Sequence, residues 1–132
     1  MVCEDGGAAL RPRVLVAEDN PSNNKLVEVL LRRDYDLAHA VNGAEAVKLF
    51  RAQGADLVLM DINMPVVDGY EALRLIRELS PAVPVIALTA YAFETDRRRM
   101  FGAGFDDFLA NPFRADELRA RVAAMLAAKE EI

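Results

Sequence analysis

Five short, largely apolar runs recur along the chain, and segments with helical spacing separate them. The runs cover residues 13–17, 35–40, 55–61, 83–88 and 105–110. The third is the most continuous, because four apolar residues from Leu57 to Met60 lead directly into Asp61. Runs of this length between helical patterns favour strands that are buried on both faces of a parallel sheet.

Helix signals fill the intervals between the runs. Asn20 followed by Pro21 predicts an N-cap and a first helical residue, and Asn42 with Glu45 resembles a capping box. Gly54 ends the second predicted helix, and the charged segment 93–102 predicts the fourth. The apolar residues at helical spacing are Leu26, Val29 and Leu30, then Ala46, Val47 and Phe50, then Ala72, Leu75, Ile76 and Leu79, and finally Leu118, Val122, Met125 and Leu126.

Five strands that alternate with five helices predict an α/β fold. Such alternation implies right-handed crossovers and a parallel sheet with helices on both faces. We expect one domain over residues 13–129, preceded by a flexible leader over 1–12 and followed by a tail over 130–132.

Composition narrows the class of protein. The 132 residues are 53% hydrophobic and 28% charged, which is typical of a globular chain. The net charge of −5 disfavours binding to nucleic acid or to an anionic membrane. Cys3 is the single cysteine, so no disulfide can form within the chain, in agreement with a cytoplasmic location. The sequence contains no run of some 18 apolar residues, so it predicts no membrane span.

Polar residues stand where the predicted strands end. Glu18 and Asp19 follow the first strand, Asp61 ends the third, Thr89 the fourth and Asn111 the fifth. In open α/β sheets this edge carries the chemistry. Carboxylates that meet there repel each other unless a cation joins them, and Mg²⁺ prefers oxygen ligands. We therefore predict a magnesium site in which Asp61 can also accept a phosphoryl group.

Four segments, each at a predicted strand end, resemble the receiver domains of two-component response regulators. They are VLVAEDN at 14–20, LMDINMPVVDG at 59–69, ALTA at 87–90 and ANPF at 110–113. The residues of the first two segments resemble receivers attached to hybrid histidine kinases more than receivers on DNA-binding regulators. The resemblance covers residues 13–128 and implies a flavodoxin-like sheet in the order 2-1-3-4-5.

The resemblance also implies a role for each site residue. Asp61 would take a phosphoryl group from a phosphohistidine on a histidine kinase or a histidine phosphotransfer protein. Asp19 would bind Mg²⁺ directly and Glu18 partly through water, while the backbone carbonyl of Asn63 would complete the protein ligands. The chain would then act as a signalling module, with no enzymatic activity beyond accepting and losing its own phosphoryl group.

A switch and a signalling face are implied as well. Thr89 would turn its hydroxyl toward the phosphoryl oxygen, and Phe108 would follow it inward. Tyr91 would either shield the phosphoryl group from water or pack on the neighbouring helix. A downstream protein could bind the face made by helix four, strand five and helix five. The arginines at 97–99 are either part of that face or a simple solvated helix surface.

Position 111 departs from the family pattern. Receivers carry a lysine before the proline that follows strand five, whereas this chain has Asn111 before Pro112. Asparagine brings no positive charge, so phosphorylation could persist while its coupling to a conformational change weakens. The residue could be a natural variation, a mark of a degenerate receiver, an engineered change, or a turn former.

The sequence leaves two alternative functions to consider, and it contains one histidine outside the predicted site. A degenerate receiver that binds a protein or ligand without phosphorylation is the main alternative. A haloacid-dehalogenase-like phosphatase is disfavoured, because Asn63 stands where that family has a general-acid aspartate. His39, the only histidine, is expected to be half-exposed in the edge strand, far from the site.

Overall fold

The computed structural model describes residues 12–62, 69–89, 94–110 and 113–130. Five strands alternate with five helices in these ranges. They are β1 (Arg13–Ala17), α1 (Pro21–Leu31), β2 (Asp36–Ala40), α2 (Gly43–Gln53), β3 (Leu57–Asp61), α3 (Gly69–Leu79), β4 (Val85–Thr89), α4 (Glu94–Ala103), β5 (Asp107–Ala110) and α5 (Ala115–Glu130). No helix in this part of the chain is both long and apolar enough to cross a membrane.

All neighbouring strands are parallel, in the order β2-β1-β3-β4-β5. The predicted flavodoxin-like order is therefore confirmed. Asp61 at the end of β3 is in register with Leu88, and Thr89 is in register with Ala110. The carboxyl ends of the strands thus meet along one edge of the sheet, as a parallel sheet requires.

The core has two layers because alternate residues of each strand point to opposite faces. In β3, Val58 and Met60 join one cluster, whereas Leu57 and Leu59 join the other. Helices α2, α3 and α4 cover the first cluster, and helices α1 and α5 cover the second. The long apolar runs in the strands follow from this burial on both faces.

The predicted helix ends are confirmed by their hydrogen bonds. The side-chain oxygen of Asn20 accepts from the backbone N–H groups of Ser22, at 2.9 Å, and Asn23, at 3.2 Å. Asn42 accepts from the N–H of Glu45 at 2.7 Å. Gly54 ends α2 with φ of 71°, a left-handed value that glycine adopts without strain. These caps fix where α1 and α2 begin and where α2 ends.

The sequence pattern was wrong about one helix face and about some boundaries. In α1, Leu26 and Val29 are exposed, whereas Val27 and Leu31 pack in the core. The strands predicted from Val83 and Phe105 begin two residues later, at Val85 and Asp107. Val83 and Phe105 are nevertheless buried. They are apolar residues of the connections before the strands, which made the predicted strands too long.

Candidate functional site

Three acidic residues converge at the carboxyl edge of the sheet. Glu18 follows the last residue of β1, Asp19 comes next, and Asp61 is the last residue of the adjacent strand β3. Each offers one carboxylate oxygen, and these oxygens all lie within 4.8 Å of one another. Strand register alone brings them together, because β1 and β3 are neighbours that end at the same edge.

Glu18 is the most buried member of this group, with 1% of its surface exposed. Its backbone N–H donates to the carbonyl of Ala40 at 3.0 Å, which extends the β1–β2 ladder by one residue. Its Oε2 accepts from the N–H of Asn20 at 3.3 Å. Its Oε1 is buried and receives no hydrogen bond from any donor among the described residues. A buried carboxylate oxygen without a donor or cation is costly.

That cost is visible in the ionisation of Glu18. Burial is the first cause that raises the pKa of Glu18, from 4.5 to about 8, and a hydrogen bond to the carboxyl of Asp61 and the negative charge of Asp61 follow, while the hydrogen bond from Asn20 opposes the rise. Asp19 adds a smaller repulsion. Without a cation, the side chain therefore holds a proton through the neutral pH range.

The donor set fits a hard divalent cation. Glu18, Asp19 and Asp61 supply only oxygen atoms, which is the chemistry that Mg²⁺ prefers. A cation among these carboxylates would satisfy the buried Oε1 of Glu18 and offset the repulsion that raises its pKa. The exposure of Asp19 leaves room for ligands from solvent or from a bound molecule.

Thr89 and Phe108 lie on the two strands beyond Asp61. Thr89 is the last residue of β4 and is 1% exposed. Phe108 in β5 is in register with Ala87 and half-buried. Its ring meets that of Phe101 in α4 edge to face, with centroids 6.0 Å apart. Thr89 thus ends the strand next to Asp61, and Phe108 connects β5 to α4.

Three predicted site residues, Asn63, Tyr91 and Asn111, lie outside the described residues. The predictions for the backbone carbonyl of Asn63, the ring of Tyr91 and the amide of Asn111 therefore stay predictions. The arginine run is described in part. Arg98 and Arg99 are exposed, and the guanidinium of Arg99 stacks 4.3 Å from the centre of the Tyr70 ring in α3.

Two residues next to the site were missed or misplaced by the sequence patterns. His39 does lie in the edge strand, but its distance from the site was predicted wrongly, since its Nε2 lies 3.0 Å from the backbone oxygen of Glu18. Register with β1 could have indicated this, because His39 pairs with Val16 near the end of the strand. Gly69 is the other residue, because a Cβ there would lie 2.6 Å from the backbone oxygen of Asp61.

Comparison with known proteins agrees with this geometry. A family model described as response regulator receiver domain matches residues 14–123. The transcriptional regulatory protein PrrA of Mycobacterium tuberculosis is 40% identical over 116 residues, which make up 87% of this chain and 50% of PrrA. Hybrid signal transduction histidine kinase I of Dictyostelium discoideum is 36% identical over 117 residues, which are 81% of this chain and 7% of that kinase.

Solved structures give the same picture. The receiver domain of the sensor histidine kinase PA1611 from Pseudomonas aeruginosa PAO1 is 38% identical, with a TM-score of 0.82. The match covers 89% of this chain and 98% of that one, and that structure has a magnesium ion coordinated in its active-site cleft. The chain spans about half the length of the curated regulators that it matches, such as PrrA.

Proposed function

Since this chain belongs to the response regulator receiver domain family of two-component signalling, we propose that Asp61 is its phosphoacceptor. The observation that carries the proposal is the meeting of Glu18, Asp19 and Asp61 at one sheet edge, with their oxygens within 4.8 Å. Structural carboxylates are normally kept apart or paired with cations. Three that converge around an unsatisfied buried oxygen are suited to a cation and an anionic ligand.

The proposed reaction is the transfer of a phosphoryl group from a phosphohistidine. A carboxylate oxygen of Asp61 attacks phosphorus, the phosphorus–nitrogen bond breaks, and the imidazole leaves with the bonding electron pair. The donor is a histidine kinase or a histidine phosphotransfer protein, which agrees with the similarity to a hybrid histidine kinase. Asp61 lies at a strand end and is half-buried, so its carboxylate can reach solvent and partner.

Glu18, Asp19 and Asp61 would hold Mg²⁺, together with the backbone carbonyl of Asn63. When bound, the ion offsets negative charge that develops on the transferring oxygens. Glu18 is buried whereas Asp61 is half-buried, so Asp61 is the more accessible of the two carboxylates to an incoming phosphoryl donor. This difference leaves Asp61 as the attacking group.

The signal would pass from Asp61 through Thr89 and Phe108. Thr89 ends β4 beside the phosphoacceptor strand, and its hydroxyl would bond a phosphoryl oxygen. Phe108 would move with it and change its contact with Phe101 in α4. The partner surface would be the face of α4, β5 and α5, where Arg98 and Phe101 are exposed. Tyr91 would shield the phosphoryl group.

The same proposal implies the extent of the domain, its location in the cell, its partners and the effect of Asn111. The receiver domain would extend over residues 13–129 and act in the cytoplasm beside its kinase. The net charge of −5 supports protein partners rather than nucleic acid or an anionic membrane for this domain. Asn111 would weaken the response to phosphate, because no cationic side chain at that position pairs with the phosphoryl group. The chain would accept and lose its own phosphoryl group without being an enzyme on other substrates.

The direct test is intact mass spectrometry after incubation with acetyl phosphate and Mg²⁺. We expect the protein to gain the mass of one phosphoryl group, and the gain to disappear in Asp61→Asn. Chelation of the metal with EDTA should also prevent it. Asp34→Asn, an exposed aspartate in the turn after α1, is the matched control and should be labelled like the wild type.

A wild-type protein that stays unlabelled, under conditions that label another receiver, would contradict phosphoacceptance. That result would favour a degenerate receiver that binds its partner without phosphate. The feature that motivates this alternative is Asn111, which lacks the charge of the family lysine.

A further inference from the structure

His39 touches the acidic site from the edge of the sheet. It is the penultimate residue of β2 and is exposed, yet its Nε2 lies 3.0 Å from the backbone oxygen of Glu18. A carbonyl oxygen can only accept, so this contact is a hydrogen bond in which Nε2 donates. The accepting carbonyl belongs to the peptide that joins Glu18 to Asp19.

That peptide carries two of the three acidic side chains. Regular pairing between β1 and β2 ends at Ala17 and Ala40, and one further bond runs from the Glu18 N–H to the Ala40 carbonyl. The next peptide group is the one that His39 contacts. The hydrogen bond from His39 therefore connects β2 to one more peptide group of the segment that follows β1. Asp19 begins at this peptide group and approaches Asp61.

We propose that His39 is a positioning residue of the acidic site. It orients the Glu18–Asp19 peptide and thereby fixes the separation of the carboxylates, without touching the metal or the phosphoryl group. The inference rests on the proposed function, because the arrangement matters to the extent that these carboxylates bind a cation. Partners that orient ligating carboxylates change metal affinity by about tenfold or more when they are removed.

The surroundings of His39 make this role testable by substitution. An open groove of about 470 Å³ lies beside the ring and is lined by His39, Asn42, Ala44, Glu45, Lys48 and Leu49. A smaller or more flexible side chain at position 39 therefore neither overpacks the core nor leaves a closed cavity. Loss of the hydrogen bond can then be separated from loss of the fold.

The experiment compares His39→Gln with His39→Asn. Both variants carry a neutral amide, but glutamine has one more methylene, so its NH₂ reaches the position of Nε2 and that of asparagine does not. We expect the Kd for Mg²⁺, measured by isothermal titration calorimetry, to stay within about twofold of wild type in His39→Gln and to rise about five- to tenfold in His39→Asn. Ala44→Ser, an exposed neutral change in the same groove, should leave the Kd unchanged.

A second readout does not need the metal. In the metal-free protein, the backbone amide of Asp19 shares the peptide group that accepts from His39. Its ¹H–¹⁵N signal should move in His39→Asn and stay close to wild type in His39→Gln. Both variants should unfold at the same urea concentration.

Equal Mg²⁺ affinity and an unchanged Asp19 signal in both variants would overturn the proposal. So would equal losses of affinity that accompany a lower urea midpoint, because these would indicate a general effect on folding. If the wild type binds no Mg²⁺, the proposed function fails, and the Asp19 signal still decides whether His39 orients this peptide.

Discussion

The two edges of the sheet treat their acidic residues in opposite ways. At the amino edge, Asp56 immediately precedes β3, and its Oδ2 accepts from the backbone N–H of Arg13, the first residue of β1, at 2.8 Å. Its own N–H donates to the carbonyl of Arg13 at 2.8 Å. Asp106 immediately precedes β5 and repeats this exchange with Val85, the first residue of β4, at 2.8 and 2.9 Å.

Arg77 strengthens the second of these amino-edge pairs. Its guanidinium donates to Oδ2 of Asp106 at 2.7 Å and to the carbonyl of Gly104 at 2.8 Å, and it also contacts the carbonyl of Val83. One arginine from α3 therefore connects the turn after α4 with the start of β4. The carboxylate of Asp106 thus has both a backbone donor and a cation.

The carboxyl edge also carries acidic residues, but one of their buried oxygens lacks a hydrogen-bond donor. Glu18 has a buried oxygen with no donor among the described residues, and its neighbours are further carboxylates. Acids that are satisfied within the chain stabilise the fold, whereas a buried carboxylate oxygen without a donor, such as Oε1 of Glu18, costs stability and is available to a ligand. The difference between the edges therefore separates structural from functional carboxylates. Replacing Asp106 at the amino edge and Glu18 at the carboxyl edge should therefore have opposite effects on stability.

The largest effect is expected at Gly69, where helix α3 closes on the carboxyl edge. An added Cβ would lie 2.5 Å from the Cα of Ile62 and 2.6 Å from the oxygen of Asp61, and both are backbone atoms that cannot rotate away. Gly69→Ala should therefore lower the free energy of unfolding in urea by about 3 kcal/mol. It should also weaken Mg²⁺ binding, since the end of β3 must move.

Gly102 provides the control for this substitution. It lies in α4 and a Cβ there would meet nothing within 4 Å. Gly102→Ala should stabilise the protein by roughly 0.5 kcal/mol through helix propensity. A Gly69→Ala protein with wild-type stability and Mg²⁺ affinity would show that α3 does not set the position of Asp61.

The next effect in size is expected at the amino edge. Asp106→Ala leaves the N–H of Val85 without its acceptor and Arg77 without its carboxylate. We expect the free energy of unfolding to fall by about 2 kcal/mol, with no change in the Kd for Mg²⁺. Glu28→Ala, which breaks an exposed pair with Lys25, should change stability by less than about 0.5 kcal/mol. A loss of Mg²⁺ affinity in Asp106→Ala would mean that the two edges are coupled.

The sequence predicted the strands and the carboxyl-edge residues because both follow from short-range signals. The continuous apolar run from Leu57 to Met60 is buried on both faces, and Asp61 ends it as predicted. Sheet order came from the family resemblance. Order and register then placed Glu18, Asp19 and Asp61 together without any side-chain information.

Other features depended on contacts that a linear pattern does not contain. In α1 the spacing of Leu26 and Val29 indicated a helix correctly, but the burial of Val27 and Leu31 depends on packing against α5. The contact of His39 with the Glu18 carbonyl joins residues 21 apart in the chain. The reciprocal bonds of Asp56 and Asp106 are equally non-local, so no spacing rule distinguished them from the acids of the site.

The last effect concerns Glu18, whose pKa shift has the sign opposite to that of an acid paired with a cation. Its pKa is about 8 in the folded metal-free protein and about 4.5 when unfolded. The folded state therefore holds this proton more tightly, and the contribution to stability is present below pH 4.5 and is lost as pH rises to about 8. We expect the free energy of unfolding, measured with EDTA, to fall across this window, and Glu18→Gln to be more stable than wild type by roughly 1–2 kcal/mol at pH 8. Mg²⁺ should stabilise the wild type more than the variant, because the variant keeps Asp19 and Asp61 but lacks the third carboxylate. A wild-type protein whose unfolding free energy does not fall between pH 5 and 8, relative to Glu18→Gln, would show that the carboxyl edge carries no such cost.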